Sequence, residues 1–361
     1  MKIKYMLWTI MIFYSCKNES SIINYPETKK IPVIDTYFGT SVIDNYRWLE
    51  DDKSNETTKW IESQNKITFN YLNKIPFRNE INKKIKSLWN YEKVTSPFKE
   101  GEYFYYYKND GLQNQYVLYR KNKNNKEEVF LNPNTFSLDG TTSLTGVSFS
   151  KNGRLCAYSI SEGGSDWRKV IIIDALSKKI VEDTLKNVKF SGIQWKNNDG
   201  FFYSSYDKPK GSELSEMTDQ HKLYYHKIGS SQNQDVLIFG DKKNEKHRYV
   251  SGSVTDDGKF LFINASKSTS GNKLYVKNLT KEKSPIINMI DNYDSDTYIL
   301  ENYNDIFYLV TNLNAPNKKV VKTSYKNPQS NYWKDFIPET ENVLFPSSGG
   351  GYFFAKYMIN V

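Results

Sequence analysis

Gly101-Glu-Tyr-Phe-Tyr-Tyr-Tyr107 is a turn feeding an aromatic strand, and the chain repeats it. The arrangement returns as Gly153-Arg-Leu-Cys-Ala-Tyr158, Gly200-Phe-Phe-Tyr203, Gly258-Lys-Phe-Leu-Phe262, Asp305-Ile-Phe-Tyr308 and Gly351-Tyr-Phe-Phe354. Successive markers stand 52, 47, 58, 47 and 46 residues apart. A further strand usually follows each marker, as in Tyr116-Val-Leu-Tyr119, Val170-Ile-Ile-Ile173, Leu223-Tyr-Tyr225 and Leu274-Tyr-Val276. A period near fifty with about four short strands per unit is the pattern of propeller blades. One such unit cannot bury both faces of its sheet, so the units must stack on one another. The expected fold is therefore mainly β: an incomplete β-propeller over 91–361, with five full blades and the start of a sixth. Two packed sandwiches are the alternative, but a sandwich has no reason to repeat one marker six times.

Upstream of the first marker the period changes. Trp60, Ile67 and Tyr71, with Ile61, Thr68 and Leu72 beside them, fall at helical spacing. Ser54 or Asn55 is the expected cap and Pro76 the stop. Phe77, Ile81, Ile85 and Leu88 continue at intervals of three or four, predicting a second amphipathic helix, with packing the expected role of its apolar residues. Residues 22–52 are Pro-punctuated and expected to be irregular. Residues 16–90 are thus expected to form a short N-terminal helical arm. At the very start, Lys2 and Lys4 precede an apolar run from Tyr5 to Ser15, which is too short to span a bilayer. A charged segment before a short apolar one is the pattern of an export signal, here 1–15. The small residue followed by Cys16 resembles a bacterial lipoprotein box, which makes Cys16 the expected acylation site and the membrane a partner through that lipid.

Composition narrows the function. Tyr (28) and Phe (20) dominate an aromatic fraction of 15%, too many rings to leave in water, so a disordered chain is excluded. The net charge of +9 is spread as Lys-rich pairs through turn-like stretches such as Arg120 to Lys126, which argues for a solvated surface and against nucleic acid. Two cysteines and three histidines, at 221, 226 and 247, give no metal spacing, and no cofactor is expected. Cys156, inside an apolar run, is expected to be a buried, inert thiol. No Gly-x-Ser-x-Gly elbow occurs, and Gly163-Gly-Ser-Asp166 is expected to be a hairpin turn in preference to an anion cradle.

Specific strings add a resemblance. Asp35-Thr-Tyr-Phe-Gly-Thr40, Tyr46-Arg-Trp-Leu-Glu-Asp51 and Trp60-Ile-Glu-Ser-Gln-Asn65 resemble the opening of the prolyl oligopeptidase family. So do Asn109-Asp-Gly-Leu-Gln-Asn-Gln115, Val188-Lys-Phe-Ser-Gly192, His221-Lys-Leu-Tyr-Tyr-His226 and Thr311-Asn-Leu-Asn-Ala-Pro-Asn317, in order along the chain. The resemblance implies a serine endopeptidase that cuts short peptides after proline. In that family a seven-bladed propeller covers an α/β-hydrolase domain, on which the helical arm packs. It implies that the Ser, Asp and His of the triad lie beyond this sequence, leaving the chain catalytically incomplete and the hydrolase domain its missing partner. Phe190 matches the family position that offers an aromatic side chain to the peptide. The family's peptide-binding Arg is replaced by Ser266, and Lys267 beside it is expected to point to the opposite face. A stand-alone propeller that serves as a binding scaffold is the second reading.

Overall fold

The computed structural model describes residues 23–207, 218–242 and 244–344; the expected signal at 1–15, Cys16 and the marker at Gly351 lie outside the described residues. Two compact units divide between Ile81 and Asn82. In the first, the stretch expected to be irregular holds a hairpin, β1 (Val33–Tyr37) and β2 (Thr40–Asp44). Its two-residue turn needs positive φ at both central residues, and Phe38 and Gly39 adopt 51° and 85°. Phenylalanine is a poor signal for that conformation, which is why the hairpin was not evident from residue types. Arg47 ties the hairpin together by pairing with Asp35 and, at 2.9 Å, with Asp44.

Ser54 caps helix α1 (Asn55–Asn73) by accepting from the Thr57 amide, as its position before the apolar-periodic run predicts. The Trp60 indole donates to Thr28 Oγ1 at 3.0 Å, tethering the segment ahead of the hairpin to the helix. Pro76 separates α1 from α2 (Arg78–Trp89). The apolar stripe of α2 has the predicted spacing, yet Ile81, Ile85 and Leu88 all remain exposed. Packing, expected from the spacing alone, does not account for them among the described residues.

Among the described residues, the second unit holds five antiparallel sheets. The first blade contains β3 (Lys93–Val94), β4 (Phe98–Glu100), β5 (Tyr103–Asn109), β6 (Val117–Lys121) and β7 (Glu127–Leu131). The second runs through β8 (Thr142–Phe149), β9 (Leu155–Glu162), β10 (Trp167–Asp174) and β11 (Leu185–Lys189). The third has β12 (Gln194–Lys196), β13 (Gly200–Ser205), β14 (Lys222–Lys227) and β15 (Val236–Phe239). The fourth has β16 (Tyr249–Val254), β17 (Phe260–Ser266), β18 (Lys273–Asn278) and β19 (Ile286–Ile290). The fifth has β20 (Thr297–Tyr303), β21 (Ile306–Thr311), β22 (Lys319–Ser324) and β23 (Lys334–Ile337). Each described marker lies on the second strand of a four-stranded path, or on β5 in the first blade.

Side-chain alternation assigns the central strands of the second, third and fourth blades to two cores at once. On the second blade, Cys156, Ile171 and Ile173 face the first blade and join Tyr105, Leu118 and Phe149. Their neighbours Ala157, Val170 and Ile172 face the third blade and pack against Phe201 and Tyr203. Phe202 and Leu223 then meet Leu261, Ile263 and Tyr275 of the fourth blade. Phe260, Phe262 and Leu274 close on Phe307 and Leu309 of the fifth. Burial pushes the Cys156 thiol pKa well above the ordinary thiol value.

The blades also converge. Strand direction places the β8–β9, β12–β13, β16–β17 and β20–β21 turns on one rim, the turn rim. There the Lys151 amide donates to the Asn197 carbonyl at 3.0 Å, and the Lys151 ammonium reaches the Asp256 carbonyl two blades away. Parallel stacking at about 10 Å per sheet would hold those turns far beyond a lysine's reach. The sheets therefore fan out from a common centre, as propeller blades do.

Two charged groups fasten neighbouring blades. Arg120 does not lie in a solvated turn: it belongs to β6 and is buried, with its guanidinium 4.3 Å from the Tyr103 ring centroid. It pairs with Glu128 at 2.6 Å and donates to the carbonyls of Ala175 and Leu176 in the second blade. His226, in the third blade, is also buried. Its Nδ1 lies 2.7 Å from Asp235 and its Nε2 3.0 Å from Glu182 in the second blade. Both ring nitrogens face carboxylates, so both donate and the ring is an imidazolium. Burial alone would lower its pKa, but the two carboxylates overcome this and hold it at about 9.

Two outcomes are expected. Phe262, fully buried between the fourth and fifth blades, should cost about 3–5 kcal/mol when replaced by Ala, measured by urea unfolding. His226 has a folded pKa above its unfolded value of roughly 6.5, so its contribution is complete below that pH and is lost as pH rises through about 9. The urea midpoint of the wild-type chain should therefore fall more between pH 7 and 10 than that of His226→Gln. Equal falls would refute the clamp.

Candidate functional site

The opposite rim, the loop rim, carries the β9–β10, β11–β12, β13–β14, β15–β16 and β17–β18 connections. Phe190 stands at the second of these, immediately after β11. Its φ is +50°, a conformation that costs a residue bearing a Cβ about 1 kcal/mol or more. Neighbouring contacts hold it. The Ser191 hydroxyl accepts from the Ser204 amide at 2.7 Å, and the Ser205 hydroxyl donates to the Asn187 carbonyl. His221 grips the preceding residue: its Nε2 lies 2.9 Å from the Lys189 carbonyl while its Nδ1 accepts from the Val250 amide at 2.8 Å. That pattern requires a neutral imidazole protonated on Nε2. Burial pushes the His221 pKa down to about 4, against the pull of the Lys189 carbonyl, which keeps it neutral at ordinary pH.

An aromatic platform forms above this pin. Tyr206 stacks on His221 with centroids 4.3 Å apart and donates its hydroxyl to the Arg248 carbonyl. Phe190 meets Tyr206 and Tyr249 edge to face, at 6.2 and 5.7 Å. Phe190 stays 41% exposed, while Tyr206 and His221 behind it are held by hydrogen bonds. Tyr249 lies directly across the β16–β17 ladder from Ser266, so the two sequence-predicted positions meet through one intervening residue. Lys267 carries its ammonium to the Tyr293 ring, at 4.9 Å. Two cations flank the platform: Lys189 beside Phe190 and Arg248 over Tyr249. Cys16, the expected acylation site, lies outside the described residues.

Such a surface offers apolar ring faces and positive charge to a ligand. The three histidines engage carbonyl, amide, carboxylate or tyrosine partners, and among the described residues none is bonded to a serine. Among the described residues, no group of three or more His, Cys, Asp or Glu is placed to hold a metal ion. Gly163 and Gly164 form an open turn between β9 and β10, both with positive φ. Sequence reasoning missed Tyr206, His221 and Tyr249 as members of the site. They flank the connections, where neither a period of two nor the marker spacing applies; the one available signal was a histidine inside a string already singled out.

Comparison with known proteins agrees with this architecture. Residues 25–361 match the family described as the prolyl oligopeptidase, N-terminal beta-propeller domain. The chain is 54% identical over 340 residues to a prolyl endopeptidase of Elizabethkingia meningoseptica, covering 94% of this chain and 48% of that protein. A prolyl endopeptidase of Elizabethkingia miricola is likewise 54% identical, over 95% of this chain and 48% of its own length. Among solved structures, prolyl oligopeptidase B from Galerina marginata, bound to a 25mer macrocyclization substrate, superposes with a TM-score of 0.75 at 29% identity. That match covers 88% of this chain and 48% of the fungal one. The chain spans about half the length of the curated relatives it matches. With the repeated marker, the five-blade stack and the match over 25–361 in agreement, the chain belongs to the prolyl oligopeptidase family and corresponds to its N-terminal propeller portion.

Proposed function

We propose that this chain is the substrate-gating propeller of an exported serine endopeptidase that hydrolyses short peptides after proline. In this reading the catalytic Ser, Asp and His lie outside the 361 residues, and the chain alone does not hydrolyse peptides. The observation that carries the proposal is Phe190. A residue with a left-handed backbone, pinned by His221 and walled by two tyrosines, keeps its own ring half-exposed instead of adding it to a blade core. That arrangement suits stacking against an apolar peptide residue. The exposed stripe of Ile81, Ile85 and Leu88 supports a partner in the hydrolase domain, since apolar rows at helical spacing ordinarily face a packed surface. Export and acylation at Cys16 rest on the lysines, the short apolar run and the small residue before the cysteine.

A chimera in which this propeller replaces that of the Elizabethkingia meningoseptica endopeptidase tests the reading with a Gly-Pro reporter peptide. Cleavage is expected from the chimera and none from the 361-residue chain alone. Phe190→Ala in the chimera should raise KM about tenfold and leave kcat within about twofold, the mark of binding lost equally from ground and transition states. Cleavage by the isolated chain, or a Phe190→Ala effect confined to kcat, would sink it. For the anchor, cells expressing the chain should incorporate labelled palmitate, and Cys16→Ala should abolish the label.

A further inference from the structure

A cavity of about 580 Å³ opens between the third and fourth blades, walled by β15, β18, β19 and the β15–β16 connection. Two nearly buried polar groups line it with bonding capacity left over. Tyr275 is 8% exposed, and its hydroxyl has no hydrogen-bond partner among the described residues, although Glu245, Lys273, Asp291 and Tyr293 lie around it. His247 is 2% exposed. Its Nδ1 meets the Tyr293 hydroxyl at 3.1 Å, whereas its Nε2 stands 3.9 Å from Glu245, beyond hydrogen-bond reach. Phe239 packs on both rings, with its centroid 5.5 Å from that of His247 and 4.8 Å from that of Tyr275, which fixes them.

The charges at the cavity are already matched. Lys273 sits between Glu245 at 2.6 Å and Asp291 at 2.7 Å. An ammonium ligand drawn to either carboxylate would meet Lys273, and a carboxylate ligand drawn to Lys273 would meet both acids. Burial holds Tyr275 protonated, and it lowers the His247 pKa against the pull of Glu245, so both rings are neutral at ordinary pH. A neutral ligand with several hydroxyls meets no such conflict. Each hydroxyl donates to one group and accepts from another, so it can bridge a carboxylate oxygen and the ammonium, or the Tyr275 hydroxyl and His247 Nε2. Phe239, Ile238 and Ile286 give the same cavity an apolar wall for C–H groups.

We propose that this cavity is a binding site for a neutral polyhydroxylated ligand, a monosaccharide or short glycoside, held by Tyr275, His247 and the Lys273 cluster. Its volume lies within the range of ordinary small-molecule sites. None of these residues is part of the Phe190 platform, so the site stands whether or not that platform binds peptide.

Calorimetric titration of the 361-residue chain with the methyl glycosides of glucose, galactose and mannose tests this, with glucosamine and glucuronate as charged counterparts. At least one methyl glycoside should bind with a Kd of about 1 mM or tighter, and about tenfold tighter than either charged sugar. Tyr275→Phe removes only the hydroxyl and should weaken that binding about tenfold while the urea midpoint stays put. Asp291→Asn, at an exposed carboxylate, should weaken it about threefold or more, and decides the matter if Tyr275→Phe does not fold. Absence of binding by all three methyl glycosides overturns the site. Undiminished binding in a folded Tyr275→Phe chain, or in Asp291→Asn, overturns it too. A charged sugar that binds as tightly as the best methyl glycoside overturns the neutral ligand.

Discussion

Apolar packing between successive sheets is the constraint on which everything else in the second unit depends. No blade has a core of its own. Ile171 and Ile172 are adjacent in sequence yet belong to different cores, one shared with the first blade and one with the third. The same holds for Phe201 and Phe202, and for Phe260 and Leu261. A shift of one residue along a central strand of the second, third or fourth blade would exchange its two cores at once. Buried aromatic pairs such as Phe260 and Phe307, edge to face at 4.9 Å, give these interfaces shape as well as area. The charged fasteners, Arg120 and the His226 pair of carboxylates, sit at the margins of the same interfaces and bind blade to blade.

That dependence explains what was legible in the sequence. Markers were visible because the central strands must be apolar on both faces, so runs such as Phe260-Leu-Phe-Ile263 lose the simple alternation and stand out. The helices were visible from their period and from Ser54. The β1–β2 hairpin was hidden because its turn places Phe38 where glycine or asparagine is the usual signal. Arg120 misled for a related reason. Its neighbours Asn122, Lys123, Asn124 and Asn125 do form a turn, and residue type alone does not show where the strand ends and the turn begins.

The site was legible only in outline. Phe190 and Ser266 could be placed by likeness to a family, but what holds Phe190 could not. Its support comes from residues distant in sequence, His221 and Tyr249, which meet it only after three blades have stacked. Long-range assembly of this kind leaves no periodic trace. The platform is thus a product of the blade stack, and its precision derives from cores some distance from it.

The reach of Lys151 across two blades also bears on how such a chain changes over generations. Turns on that rim are braced against one another, and Gly153 lies so close to Gly101 that a Cβ there would fall 2.5 Å from the Gly101 amide nitrogen. Added residues have no room there. On the loop rim, by contrast, falls the longest interval between markers, 58 residues, which includes the β13–β14 connection, residues 206–221. Variation in length is thus channelled to the rim that carries Phe190. Selectivity has room to drift on that side while the frame beneath it stays put.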